Sequence, residues 1–250
     1  HMTDMDLDRP GQEIWINLES PSSHNNTGLR QYDAKTGQTN WGIATGTADV
    51  GRSMAADIDP NYKGYEMWGS SGGNVYDVKG NSISTNVPSY NFGIWWDGDL
   101  GRELFDRGYI DKWNPATKSA GRLFTIYNQT ATGLSTNNST KSNPCLQADI
   151  LGDWREEIIL RESDNSALVI FTTDLASNYR IPTLMHDPQY RTAIAWQNSA
   201  YNQPPNTSYY IGYDMDVNNI PTAKIAIVGH TKLAVTAIIR KTPAVSSTNA

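Results

Sequence analysis

The sequence has one cysteine, four phenylalanines, and charged side chains at only 18% of its 250 positions. A lone Cys145 excludes an internal disulfide. It follows Pro144 with no nucleophile-activating pattern around it, so it is expected to be buried and inert. No apolar run approaches the ~20 residues that a membrane-spanning helix needs. Basic residues are in the minority, 20 Lys and Arg against 26 Asp and Glu. That balance argues against nucleic acid and anionic membranes as partners, though not against a polyanionic sugar in a local cleft. Sustained helical periodicity is lacking too, and short β-favouring runs between turn residues predict an all-β protein. In their place the chain is rich in Trp (8), Tyr (13) and Gly (20). Its Asn, Ser and Thr content resembles that of secreted carbohydrate-active proteins.

An acidic turn recurs along the chain. Oxygen-bearing side chains fall on alternate residues, then a glutamate, then a hydrophobic strand. The first copy is Asp4, Asp6, Asp8, Gly11 and Glu13 before Ile14-Trp15-Ile16, and the second is Asp57, Asp59, Asn61, Gly64 and Glu66 before Met67-Trp68. These two share one register. Asp97, Asp99 and Glu103 make a more compact third copy, and Asp149, Asp153 and Glu157 a fourth. Carboxylates crowded in this way repel one another unless a cation sits among them. Hard oxygen donors at alternate positions closed by a glutamate are the ligand set of a Ca²⁺ loop. Structural Ca²⁺ is therefore expected, above all in the first two turns. A spacing of roughly 40–50 residues between copies is the mark of a propeller or solenoid array.

After each turn come further short strands: Ile14–Leu18 and Leu29–Tyr32, Met67-Trp68 and Val75–Val78, Leu104-Phe105, Tyr109-Ile110 and Arg122–Tyr127, Ile158–Arg161 and Leu168–Thr172. Radially repeated four-stranded blades fit this best, because a propeller leaves only short protected edges. Ala223–Val228 and Leu233–Ile239 read as pieces of a further blade, so residues 1–240 are taken as one propeller domain and 241–250 as a flexible tail. His1 and Met2 lead straight into the first turn, either as a remnant of expression or as a start inside a larger domain. Residues 180–213 are dense in Pro, Asn, Gln and aromatics and are expected to form a loop that lines something. There Trp196, Gln197, Tyr201 and Asn202 offer stacking faces and amides suited to sugar hydroxyls. One polar loop, Asn137–Asn143, occurs only once and carries Lys141.

Four stretches now in hand carry a resemblance: Asp-Val-Gly-Arg-Ser-Met-Ala-Ala-Asp-Ile-Asp-Pro (49–60), Asn-Ser-Thr-Lys-Ser-Asn-Pro-Cys-Leu-Gln-Ala-Asp-Ile-Leu-Gly-Asp-Trp-Arg-Glu-Glu (138–157), His-Asp-Pro-Gln-Tyr-Arg (186–191) and Ala-Trp-Gln-Asn-Ser-Ala-Tyr-Asn-Gln-Pro-Pro (195–205). Over nearly its whole length the chain resembles the rhamnogalacturonan lyases of polysaccharide lyase family 11. The resemblance implies an eight-bladed, Ca²⁺-rich β-propeller, bacterial and extracellular, of which this chain matches the C-terminal part. The remaining N-terminal part of the propeller would be its structural partner. The implied activity is Ca²⁺-dependent β-elimination in the rhamnose–galacturonate backbone of pectin, with Arg52 and a Ca²⁺ as candidates to hold the charge that develops beside the carboxylate. Carried over by position, the catalytic residues are Arg52, Lys141 and Tyr201, and the substrate-holding loop is Asn138, Ser139 and Thr140. Glu19 matches a ligand of the family's active-site Ca²⁺, whose other ligands lie upstream of His1. A non-catalytic, Ca²⁺-stapled propeller that binds glycans or adhesion partners is the competing expectation. It would keep the turns and lack a converging Arg, Lys and Tyr.

Overall fold

The computed structural model describes residues 1–46, 49–129, 133–199 and 202–221, without the side chains of Asn128 and Thr140. Tyr201, the two strands expected after residue 222 and the expected tail lie outside the described residues. Within them the chain is all-β apart from one short helix. It forms four antiparallel sheets in sequence order.

The first sheet joins β1 (Met2–Thr3), β2 (Glu13–Asn17), β3 (Thr27–Asp33) and β4 (Thr39–Ala44) in that order. The second runs β5 (Ser53–Ala56), β6 (Glu66–Gly69), β7 (Val75–Tyr76) and β8 (Ser82–Ser84). In the third, β9 (Phe92–Ile94), β10 (Glu103–Asp106), β11 (Tyr109–Asn114) and β12 (Ser119–Thr125) again lie side by side. The fourth departs from this plan. Its central strand β15 (Glu157–Glu162) pairs with β16 (Leu168–Phe171) on one side. On the other it pairs with two short pieces, β14 (Leu146–Ala148) along its start and β13 (Leu134–Ser135) along its end. The lysine loop is the insertion that separates β13 from β14.

Each acidic turn connects the first strand of a sheet to the second, or β14 to β15 in the fourth. The side chains then alternate between two cores, as a strand's period of two requires. On β5 and β6, Ala55 and Met67 join Met5, Trp15 and Leu29 of the first sheet. Their neighbours Met54, Ala56 and Trp68 join Leu104 and Trp113 of the third. On β10, Phe105 turns the other way and packs with Ile158 and Leu160 of the fourth. The second and third sheets are thus covered on both faces, and all four residues of β5 and of β6 are buried. The outer faces of the first and fourth sheets are not: Met2, Ile16, Leu168 and Ile170 are exposed.

The segment expected to be a loop at 180–213 contains the helix α1 (Pro188–Ala195), preceded by a 3₁₀ turn at Leu184–His186. Asp187 caps α1 by accepting from the backbone N–H groups of Gln189 and Tyr190, and Pro188 fills the first helical position. The helix is only eight residues long, too short for its periodicity to stand out in the sequence. Tyr190 anchors it in a fourth core with Trp95, Leu184 and Ile211. Among the described residues no helix is long and apolar enough to cross a membrane. Cys145, expected to be buried, is only half-buried.

Candidate active site and acidic turns

Arg52 stands immediately before β5, Asn91 immediately before β9, and Lys141 in the loop leading to β14. Arg52 and Asn91 hold equivalent positions on successive sheets, and the lysine loop brings Lys141 to the same pocket. Arg52 and Lys141 line one pocket of about 330 Å³ with Gly51, Ser70, Ser89, Tyr90, Asn91, Asp106 and Arg107. The Arg52 side chain is almost fully buried, with its guanidinium 5.9 Å from the centre of the Phe92 ring. Its Nη1 donates to the Asn91 carbonyl at 3.3 Å. Lys141 ends a 3₁₀ turn, Ser139–Lys141, and its own N–H donates to the Asn138 carbonyl at 3.0 Å.

The loop holds Lys141 in an unusual backbone. Asn138, Ser139 and Ser142 all have positive φ, at 66°, 47° and 49°, where a Cβ is disfavoured. Asn138 and Ser139 are exposed and are not among the residues that line this pocket. Asp106, the last residue of β10, precedes the two-residue turn Arg107-Gly108, in which both residues have positive φ. Burial raises the Asp106 carboxyl above its ordinary value, while the Asn91 hydrogen bond and the nearby Arg107 and Arg52 pull it down. The pocket therefore combines two guanidiniums, an ammonium, a carboxylate and the half-exposed Tyr90 ring. It suits an anionic, hydroxylated ligand.

Trp196, Gln197 and Asn202 lie elsewhere. They line a second pocket of about 690 Å³ with His1, Met2, Ile14, α1 residues, Gln203, Pro204 and Asn206. Trp196 is 51% exposed there. The Gln197 amide is spent on the Gln147 backbone, accepting from its N–H at 3.0 Å and donating to its carbonyl at 2.6 Å. Asn202 is buried and donates to Asn198 Oδ1 at 3.1 Å. The aromatic residue that lines the pocket with Arg52 and Lys141 is Tyr90, which composition alone did not single out.

The acidic turns repeat one hydrogen-bond pattern four times. A single oxygen, Oε2 of the closing glutamate, accepts two consecutive backbone N–H groups across the turn. Glu13 takes those of Met5 and Asp6, Glu66 those of Ile58 and Asp59, Glu103 those of Trp96 and Asp97, and Glu157 those of Ile150 and Leu151. The glutamate spacing seen in the sequence is thus the spacing of a backbone clamp. Gly11 and Gly64, just before their glutamates, sit at φ 115° and 87°, and a Cβ on Gly64 would meet the Met5 carbonyl at 2.5 Å.

What neutralises the remaining oxygens differs from turn to turn. In the first, Lys79 Nζ bonds both oxygens of Asp6 at 2.6 and 2.8 Å, and Lys63 bonds Asp8 at 2.6 Å. Asp4 Oδ1 is buried without a partner, and burial beside Glu13 and Asp6 pushes the Asp4 carboxyl up to about 6. The second turn is sealed. Asp57, Asp59 and Glu66 are all buried, and Asp57 Oδ1 and Glu66 Oε1 have no hydrogen-bond partner. Asp57 Oδ2 accepts from the Tyr210 hydroxyl and from Tyr213 N–H, while Asp59 accepts from Asn61 and from Trp113 Nε1. Burial raises Asp57 to about 7 and holds Glu66 well above the carboxylate range.

In the third turn the carboxylates of Asp97, Asp99 and Glu103 each bring an oxygen within 4.8 Å of the others, a group able to hold a metal ion. The Lys112 ammonium reaches the same three side chains, at 2.7 Å from Asp99 and 2.9 Å from Glu103. The fourth turn is dispersed. Asp149 accepts from Thr183 and Leu184, Asp153 pairs with Arg155 at the surface, and Glu157 accepts from Thr172. Glu19 is exposed.

Sequence reasoning did not single out Asn91, Asp106 or Lys112. Lys112 could have been found from register. The Arg107-Gly108 turn fixes the β10–β11 hairpin so that Leu104 faces Asp111, which sets Lys112 beside Glu103.

A family model described as rhamnogalacturonan lyase family 11, C-terminal domain, matches residues 1–221. The chain is 50% identical over 216 residues to rhamnogalacturonan endolyase YesW of Bacillus subtilis (strain 168), which covers 86% of this chain and 33% of that protein. It is 46% identical over 242 residues to rhamnogalacturonan exolyase YesX of the same organism, covering 90% of this chain and 38% of the relative. Among solved structures, a rhamnogalacturonan lyase PL11 of Bacillus licheniformis superposes with a TM-score of 0.80 at 49% identity, over 89% of this chain and 36% of that one. The chain spans about a third of the length of the curated relatives it matches.

Proposed function

The chain belongs to rhamnogalacturonan lyase family 11, as its C-terminal domain, and from that premise we propose that it contributes the Arg52–Lys141 pocket to a pectin-degrading rhamnogalacturonan lyase. The observation that carries this reading is the convergence of Arg52 and Lys141 from separate sheets on one pocket. The reaction is a β-elimination on galacturonate. The proton on C5, beside the carboxylate, is removed; the C4–O bond breaks, C4 and C5 become a double bond, and the departing oxygen takes up a proton. Removing the C5 proton puts a second negative charge on the carboxylate-bearing carbon. The buried Arg52 guanidinium is suited to hold that charge, because it stays protonated and presents a planar fork to a carboxylate. Lys141, with Tyr201 as its partner, handles the two proton transfers. Asn138, Ser139 and Thr140 hold the neighbouring sugar in this reading, and Trp196, Gln197 and Asn202 form a more distant sugar-facing wall.

The same proposal includes Ca²⁺ as a structural ion. Fit is judged by the buried oxygens left without partners: Asp57 Oδ1 and Glu66 Oε1 in the second turn, and Asp4 Oδ1 in the first. Asp57, Asp59, Asn61 and Glu66, and Asp4, Asp6, Asp8 and Glu13, are the residues that would hold it. Asp97, Asp99 and Glu103 offer a third position, shared with Lys112. Asp149, Asp153 and Glu157 are the weakest set, since their oxygens are largely taken. At these turns the ion would supply charge neutralisation, and no step of the elimination is routed through it.

The propeller itself is also part of the reading. Support comes from four successive sheets packed face to face and from the apolar side chains exposed on the two outermost ones, Met2 and Ile16 at one end and Leu168 and Ile170 at the other. The remaining N-terminal part of the enzyme is the partner proposed to cover them. A polymer substrate too large to enter a cell sets its place of action outside a bacterial cell. The test is an assay of the full-length enzyme on rhamnogalacturonan with Ca²⁺, following the ultraviolet absorbance of the unsaturated uronate. Steady growth of that band supports the lyase reading. Binding of the polymer without the band would favour a glycan-binding propeller.

A further inference from the structure

We propose that Asn91 is a positioning residue for the elimination, the one side chain that sets Arg52 and Lys141 at a fixed separation across a galacturonate. The proposal rests on the lyase reading above. On the third sheet Asn91 holds the place that Arg52 holds on the second, directly before the first strand. The residue is buried, with 7% of its surface exposed. Both hydrogens of its Nδ2 are used: one bond goes to Asp106 Oδ1 at 2.9 Å, the other to the backbone carbonyl of Lys141 at 2.5 Å. Its own backbone carbonyl accepts from Arg52 Nη1. One residue therefore touches the guanidinium, the lysine loop and the carboxylate of the pocket.

The orientation of this amide is set by its partners. The Lys141 carbonyl is an acceptor only, so a flipped amide would place Oδ1 against that oxygen. Held this way, Asn91 Oδ1 is left buried with no partner. An orphaned acceptor of this kind is rare in a purely structural position and calls for a reason. The reason offered is the loop it clamps. With Asn138, Ser139 and Ser142 all at positive φ, the lysine loop has little local preference for its own conformation. The Asn91 bond ties its last helical residue to the end of β10 through Asp106. Arg52 and Lys141 otherwise belong to sheets two places apart, and a shift of either by an ångström is enough to spoil a two-point grip on one sugar ring.

The test uses the full-length enzyme on rhamnogalacturonan, with Asn91→Ala and Asn91→Asp compared with the wild type. Asn91→Ala should lower kcat by roughly 10–100-fold while KM stays within about threefold, because alignment rather than binding is lost. Asn91→Asp sets a new carboxylate against Asp106 and the Lys141 carbonyl. It should be the less active variant at neutral pH and should recover as pH falls, when the carboxyl pair binds one proton and that proton supplies the missing donor. The groups facing this pair are Arg52, Arg107, Asp111 and Lys141. Its pH optimum should therefore lie on the acid side of the wild type's, a shift that Asn91→Ala does not show. Three results would overturn the proposal: an Asn91→Ala enzyme with unchanged kcat, a loss carried by KM alone, or loss in both variants with no acid recovery. The last would mark a merely structural residue, and a lowered melting temperature in both would accompany it. A wild-type enzyme that releases no unsaturated uronate would overturn the lyase reading and this proposal with it, whereas an active wild type with indifferent Asn91 variants overturns this proposal alone.

Discussion

In the acidic turns the same two-pronged bond, one glutamate oxygen to two backbone N–H groups, is made four times on four sheets. In the lysine loop nothing is repeated: three non-glycine residues stand at positive φ, a strand is split in two, and a side chain from the next sheet holds the result in place. The turns spend their polar groups on the backbone that they close. The loop spends backbone conformation to present one amine to a pocket. Strain of that kind persists where the surroundings over-determine it, and it collects at functional sites. On the proposed function the comparison predicts a division of labour, in which changes to the turns should act on stability and changes to the loop should act on chemistry.

The largest effect expected on the stability side is at Glu66. Replacing it by Ala leaves the buried N–H groups of Ile58 and Asp59 without an acceptor, at a cost of roughly 2–6 kcal/mol together. Urea unfolding of the full-length enzyme would measure it. Glu66→Gln keeps an acceptor and removes a charge. It should cost far less than Ala in the presence of a chelator, where an unneutralised carboxylate is itself a burden. Equal losses in the two variants would break the clamp account.

Next comes a pH effect at Glu156, the neighbour of the fourth clamp. Fully buried, it accepts from the Tyr190 hydroxyl, the Trp95 N–H and the Gln147 amide, with Arg102 at 3.7 Å. Burial raises its carboxyl from 4.5 to about 7. The folded state then holds a proton that the unfolded chain releases between those values. The contribution to stability is full below about 4.5, falls as pH rises, and is lost above about 7. At about 1.4 kcal/mol per pH unit the whole fall is roughly 3 kcal/mol. Melting temperatures across that range should show it, and Glu156→Gln should flatten it. A slope that persists in the variant would assign the effect to other groups.

The smallest expected effect separates the second turn from the third. Chelation should lower the melting temperature through the sealed second turn, by up to about 2.7 kcal/mol where Ca²⁺ stood at a hundred times its Kd. The third turn carries its own cation in Lys112 and should contribute little. Lys112→Met would remove that ammonium from Asp97, Asp99 and Glu103, and should increase the enzyme's stabilisation by added Ca²⁺. If the variant responds to Ca²⁺ no more than the wild type does, the lysine and the metal do not compete for one place.

Much of this was legible in residue order. The alternation of oxygen donors before a glutamate located all four turns, and the first two share one register because their backbone clamps span the same chain length. The strands after the turns were found for the same reason, at Ile14, Met67, Leu104 and Ile158. Lys79 and Lys63, which neutralise Asp6 and Asp8, were not, since they arrive from another sheet and no local pattern announces them. The helix at Pro188 was missed although Asp187-Pro188 is a good start signal, because eight residues give too few turns for a periodic stripe. Trp196 was singled out as a stacking face for a sugar, but composition cannot say which of two pockets an aromatic borders, and it lines the one without Arg52 and Lys141. Asn91 had no signal at all: its importance lies in three bonds to residues from position 52 to position 141.

The division of labour is tested most directly by one pair of readings on Lys141→Ala in the full-length enzyme: the initial rate of unsaturated-uronate absorbance, and the melting temperature with and without chelator. The rate should fall by roughly 10²–10⁴-fold, the range for removing a positioned proton-transfer group, and the chelator-induced drop in melting temperature should match the wild type's. A variant that keeps the wild-type rate, or that loses its rate only together with its calcium-dependent stability, would contradict the account.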